Sequence, residues 1–276
     1  MRNNILLPTD FSDNAWSAAV YALKLYAKEE CTFYFLHSTK LKVSRMSNIS
    51  NKLTQVMAEN ATKELIELKE MAENANANAN HKFNIILSID DLQTAIETAI
   101  KKHNINLLVM GTKGATKTKE IFFGSNTVRT IKKTKLCPAL IVPDELDYIL
   151  PKQIAFSTNF ERFYDDKELR PLKKMAALHN SKIRAVCVQQ EGKLSDIQNY
   201  NATMLQKHLH DFEVSFHFMP NYAKKAIEIK DFIEELDINI LAMVNYKHSF
   251  IESIINEPII KKIGFHPIVP FLVIPE

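Results

Sequence analysis

Residues 110–125 read MGTKGATKTKEIFFGS and hold three of the five glycines in this 276-residue chain, Gly111, Gly114 and Gly124. Gly192 and Gly264 stand alone elsewhere. Gly111 closes the apolar run INLLVMG (105–111), and Gly124-Ser125 opens a helical pattern over 125–135. The segment therefore runs from the carboxyl end of a strand to the start of a helix, where open α/β sheets bind ligands. A helix N-terminus offers unpaired N–H groups and partial positive charge, which suits phosphate. Glycine lets a backbone approach an anion closely or take positive φ, and successive amides can form an anion nest. Ser125 and Asn126 add side-chain donors, and Lys113, Lys117 and Lys119 add positive charge. A polyphosphate matches these parts; simple turn formation is the competing account. The spacing is neither GxxxxGK[ST] nor GxGxxG, which sets aside an ordinary P-loop ATPase and a dinucleotide dehydrogenase.

A second element is PTDFS (8–12), at the end of the first apolar run. A carboxylate at Asp10 can accept a hydrogen bond from an adenine amino group or a ribose hydroxyl. It can equally serve as an N-cap. No catalytic constellation accompanies it. The nine histidines are scattered, and there is no G-x-S-x-G elbow or HExxH pair.

The elements that must carry these residues alternate between strand and helix. Strands are expected at 4–9, 31–38, 82–89, 105–111 and 138–143, and helices at 12–30, 50–73, 91–103 and 125–135. Ser12 or Asp13 is the expected cap of the first helix. In the second, Leu53, Val56, Met57, Leu65, Leu68 and Met71 form one apolar stripe. Asp90 with Gln93 resembles a capping box for the third. The Asn/Ala stretch 73–80 reads as an exposed loop. Near-continuous apolar strands separated by helices mean a parallel, doubly wound sheet.

The pattern then restarts. KQIAFSTNFE (152–161) matches NNILLPTDFS (3–12), INILAMVN (238–245) matches INLLVMGT (105–112), and HPIVPFLVIP (266–275) matches TKLCPALIVP (134–143). Two tandem α/β domains follow, 1–146 and 147–276, joined near 144–152. The second copy lacks the chemistry. Asn159 replaces Asp10, residues 244–257 hold no glycine, and Glu252 and Glu257 oppose phosphate. His248 and Glu252 have metal-ligand spacing but no further ligands, so a solvated pair is expected.

Composition sets the remaining bounds. Net charge is +3 with 46% hydrophobic residues, and the lysine runs read as solvated helix faces, so no nucleic-acid partner is expected. Cys31, Cys137 and Cys187 are widely spaced in apolar context, as expected of buried thiols in a reducing cytosol. The apolar stretch at the N-terminus is too short for a signal peptide. No run is long enough for a transmembrane helix, so no membrane role and a cytoplasmic location are expected.

PTDFS followed by G-x2-G-x9-G-S resembles the universal stress protein family, and more narrowly its ATP-binding branch. The resemblance implies, for each domain, a five-stranded parallel sheet of order 3-2-1-4-5 in an adenine nucleotide alpha hydrolase-like fold. In that order strands one and four meet at the switch point, with Asp10 and the Gly111 loop on opposite lips of one crevice. It implies that Thr9 and Asp10 hold adenine or ribose, and that the backbone near Ser38 contacts adenine. Met110 would line the base or ribose, and Gly111, Gly114, Gly124, Ser125 and Asn126 would hold the phosphates. ATP with Mg2+ is the implied cofactor, acting on conformation or on an unidentified protein partner, with at most slow hydrolysis. A slow ATPase or other nucleotide-using enzyme, such as an adenylate-forming one, and a scaffold that binds no nucleotide are the rival readings. The family's pairing through its final strand further implies a pseudo-dimer of the two domains within one chain, with a homodimer as the alternative.

Overall fold

The computed structural model of the chain describes residues 2–39, 48–75, 77–112, 123–144, 146–189, 194–220, 225–246, 251 and 268–276. They form two compact units, Met1–Glu145 and Leu146–Glu276.

In the first unit β1 (Asn3–Pro8), β2 (Cys31–Ser38), β3 (His81–Ser88), β4 (Leu107–Gly111) and β5 (Ala139–Val142) alternate with α1 (Asp13–Leu25), α2 (Asn48–Ala75), α3 (Leu92–His103) and α4 (Ser125–Lys133). All strand pairs are parallel, in the order β3-β2-β1-β4-β5. The second unit holds β6 (Gln153–Ser157), α5 (Asp166–Ala177), β7 (Lys182–Gln189), α6 (Asp196–His208), β8 (Val214–Pro220), α7 (Lys225–Glu235), β9 (Ile240–Asn245) and β10 (Phe271–Pro275). Its parallel order is β8-β7-β6-β9-β10. Each unit therefore has the 3-2-1-4-5 order, and the chain is two doubly wound α/β domains in tandem.

The central strands are apolar because helices cover both faces. Ile5, Leu6, Phe33, Phe35, Leu36, Leu108, Leu140 and Ile141 are essentially inaccessible in the first unit, as are Ile154, Phe156, Ile183, Val186, Ile240 and Leu272 in the second. Each large side chain so buried contributes about 1.5–3 kcal/mol. In the first unit α1 lies against β4 and β5, α2 against β2 and β3, and α3 against β1, β2 and α4.

Local details depart from expectation for physical reasons. Ser12 caps α1 through Ala15 N–H (3.3 Å). Asp91, not Asp90, caps α3, accepting from Thr94 N (3.3 Å) and Thr94 Oγ1 (3.0 Å). Gln93 instead turns inward, where its Nε2 donates to Thr134 Oγ1 (3.3 Å). In α2 the line that packs inward is Ala61, Leu65 and Ala72, while Val56 and Met71 are exposed. Small alanines let that helix approach the sheet. The helix also absorbs the first three residues of the Asn/Ala stretch, since Ala favours helix. Asn78 then ties down the loop, its Nδ2 donating to Ala27 O (2.7 Å) and its Oδ1 accepting from Asn80 N (3.0 Å). Strand β4 starts two residues later than expected because Asn104 takes a left-handed φ of 50° and Ile105 N–H donates to Ile100 O (3.1 Å).

The three cysteines are buried, and none forms a disulfide. Burial pushes the Cys31 and Cys137 thiols up to about 12, which removes thiolate chemistry near neutral pH. Among the described residues no helix is long and apolar enough to cross a membrane.

Candidate functional site

Strands β1 and β4 pair only over Ile5–Leu107 and Leu6–Leu108, although β1 continues to Pro8 and β4 to Gly111. Thr9 N–H donates to Leu36 O on β2 (2.8 Å). By strand alternation Pro8 turns its nitrogen toward β4, and proline has no N–H to give. The ladder ends there, at the switch point where open α/β sheets place a ligand crevice.

The turn after Pro8 is tightly specified. Phe11 N donates to Thr9 Oγ1 (2.9 Å), and Phe11 takes a φ of 62°. Asp10 is exposed at the lip, where one carboxylate oxygen accepts from Ser12 N (3.2 Å) and Ser12 Oγ (2.6 Å). Asp10 thus orients the capping serine rather than capping α1 itself. His37 Nδ1 lies 2.8 Å from Thr9 O. A carbonyl only accepts, so Nδ1 carries the hydrogen. The His37 ring also packs on Phe11, centroids 4.5 Å apart. Ser38 spends its hydroxyl on Asp90 O (2.6 Å), which leaves its backbone as the part available at the end of β2.

On the opposite lip Met110 is buried at 7% exposure, paired with Ile141. Gly111 O accepts from Thr127 Oγ1 on α4 (3.0 Å). Gly124 N donates to Thr112 O (2.6 Å), and Thr112 N donates to Val142 O (3.0 Å). The two ends of the glycine segment are thereby pinned together. Lys113, Gly114, Lys117 and Lys119 lie outside the described residues. Gly124 is the N-cap of α4 in an extended conformation (φ −60°, ψ 155°) and supplies no side-chain cap. The first N–H groups of α4 thus lack the usual capping oxygen. Ser125 and Asn126 are exposed beside them. Thr112 Oγ1 is buried without a hydrogen-bond partner among the described residues.

One expected reason for the glycines, positive φ, needs correction at two positions. Neither Gly111 nor Gly124 has positive φ. At Gly111 the space a Cβ would fill is held by Asn14, whose Oδ1 would lie 1.8 Å from it. Asn14, His37, Thr112 and Thr127 were not singled out from sequence. A polar residue on the inward stripe of α1, ahead of Ala18, Ala22 and Leu25, was the available signal for Asn14.

The model of the universal stress protein family matches residues 1–143. The chain belongs to the universal stress protein family. Its fold is similar to that of a universal stress protein from Archaeoglobus fulgidus DSM 4304, with a TM-score of 0.68 at 18% identity over 99% of this chain and 96% of that one. It is also similar to a putative universal stress protein from Pseudomonas aeruginosa UCBPP-PA14, with a TM-score of 0.59 at 10% identity over 99% and 93% of the two chains. No curated protein matches the chain.

The second unit of this universal stress protein repeats the turn but fills its surroundings. Thr158 N donates to Val186 O (3.0 Å) and Phe160 N to Thr158 Oγ1 (3.0 Å), with Phe160 at φ 55°. Asn159, in the place of Asp10, accepts from Glu161 N (3.2 Å) and from the Tyr246 hydroxyl (3.4 Å), and donates to Glu161 Oε2 (2.6 Å). The Arg162 guanidinium stacks on Tyr246 (4.7 Å) and Tyr164 (5.2 Å) and donates to Glu168 Oε1 (2.7 Å). Burial raises both tyrosine pKa values, so both hydroxyls stay protonated. Buried Val244 replaces Gly111. His248, Glu252 and Glu257 lie outside the described residues.

Proposed function

We propose that this protein is an ATP-binding regulatory member of the family, with one nucleotide site in the β1/β4 crevice of the first unit and none in the second. The observation that carries the reading is the end of β4. There a helix start without a side-chain cap adjoins a buried hydroxyl, Thr112 Oγ1, that has no hydrogen-bond partner among the described residues. Donors left open in this way fit an anion. Asp10 and the backbone of Thr9 and Ser38 would hold adenine or ribose, with Met110 beneath. Gly111, Gly114, Gly124, Ser125 and Asn126 would surround the phosphates. Mg2+ would supply charge neutralisation for the polyphosphate when bound. Bound nucleotide acts by favouring one conformation and thereby a protein partner, with at most slow hydrolysis. Buried cysteines outside any disulfide suit a cytoplasmic setting. No nucleic-acid or membrane role is proposed.

Calorimetric titration of nucleotide-free protein with Mg-ATP tests this. One site per chain is expected, lost in Gly124→Val, whose side chain would crowd the start of α4. No binding by the native chain, or full binding by the variant, would overturn the reading.

A further inference from the structure

Gly111 belongs to the glycine spacing, yet its surroundings point to a different partner from a ligand. A Cβ built there would fall 1.8 Å from Asn14 Oδ1, 2.6 Å from Asn14 Cγ and 3.0 Å from Asn14 O. Asn14 is the first inward residue of α1 and is 6% exposed. Its Nδ2 donates to Asp144 Oδ1 (2.8 Å), just beyond β5. The carboxamide therefore runs across the crevice end of β4 and is anchored on the far side.

We infer that Asn14 is a positioning residue for the first-unit crevice: it clamps the end of β4 between α1 and Asp144, and Gly111 is glycine to admit it. The inference rests on the nucleotide reading above only for what the clamp serves. Together with Thr127 Oγ1 on Gly111 O (3.0 Å) and Thr112 N on Val142 O (3.0 Å), the clamp holds that end from three sides. A strand end so restrained presents Thr112 and the start of α4 in one geometry, which lowers the ordering cost of binding.

The second unit shows that the fold does not need the clamp. It has the same strand order with Val244 in place of Gly111. A requirement of the fold would recur in both units; this pair occurs only where the crevice is open.

The test is a variant cycle in the full chain: Gly111→Ala, Asn14→Ala and the double variant. Gly111→Ala should lower the thermal midpoint by about 4 °C or more. The same change should cost clearly less in the Asn14→Ala background, where the two shortest contacts are gone and only the 3.0 Å approach to the residue 14 carbonyl remains. Equal losses in both backgrounds would overturn the clamp. Mg-ATP affinity, measured well below the melting range, tests the positioning role. Asn14→Ala and Asp144→Ala should each weaken it about tenfold, the worth of one charge-assisted hydrogen bond. Asp144→Asn, which keeps the acceptor, should retain it, and the double variant should bind like Asn14→Ala. A double variant that does not bind, beside an Asn14→Ala protein that does, would show that Gly111 is glycine for the ligand and overturn the inference. A native chain that binds no Mg-ATP would remove the nucleotide reading alone, because the thermal cycle still decides the clamp.

Discussion

The first and second units use one turn to two ends. Both place a threonine at a strand end, bond its hydroxyl to the N–H two residues on, and set a phenylalanine at positive φ, 62° at Phe11 and 55° at Phe160. Their strand entries also agree. Asn106 N donates to Asn4 O and Asn239 N to Gln153 O, each at 2.9 Å. The difference begins one residue before the turn. Pro8 ends the β1–β4 ladder after two rungs, whereas Ser157 at that place accompanies a third rung, Phe156–Ala242. Downstream, Tyr246 and Arg162 cover Asn159 in the second unit, while Asp10 stays exposed in the first. The shared scaffold thus carries different side chains at its strand ends, which on the reading proposed above leave the first crevice open and the second filled.

The sharpest way to break this comparison is to truncate the two turn phenylalanines. Phe160 is 1% exposed and packs on Phe216 and Phe218, centroids 5.9 and 6.1 Å away. Phe11 is only partly covered. Phe160→Ala should therefore cost about 3–5 kcal/mol in urea unfolding, and Phe11→Ala about 1–2 kcal/mol. Equal costs would mean that the second crevice is no better filled than the first.

A smaller effect depends on pH. Burial lowers the pKa of His81 in the first unit, opposed by its contact with Tyr26 O (3.0 Å). The unfolded chain then takes up the proton first as pH falls through about 6.5. Stability from this group is complete above that value and declines below it. The thermal midpoint should fall between about pH 7.5 and 5.5, and His81→Gln should flatten part of that fall. An unchanged slope would assign the dependence elsewhere, for instance to His217 in the second unit, whose pKa burial also lowers.

The element types were legible because the apolar runs and helical stripes are long and their periods distinct. The strand order came from the family resemblance, since spacing alone does not order parallel strands. The crevice residues Thr9, Asp10, Ser38, Met110, Gly111, Gly124, Ser125 and Asn126 do lie at the expected strand and helix ends. What sequence could not display was which atoms they spend on each other. The Ser38 hydroxyl goes to Asp90 O, Thr9 O faces His37, and the room at Gly111 is taken by Asn14. Such contacts join residues far apart in sequence, as Asn14 and Asp144 are, and leave no local pattern. The cap at Asp91 was missed by one position because Asp90 and Asp91 offer the same chemistry and only the inward turn of Gln93 separates them.

Hydrogen exchange of the full chain, with and without Mg-ATP, compares the two crevices most directly. Nucleotide should slow exchange over residues 7–14, 107–112 and 124–130 and leave 156–164 and 240–246 unchanged. Slowing over the second set, or none over the first, would contradict the assignment of one open site to the first unit.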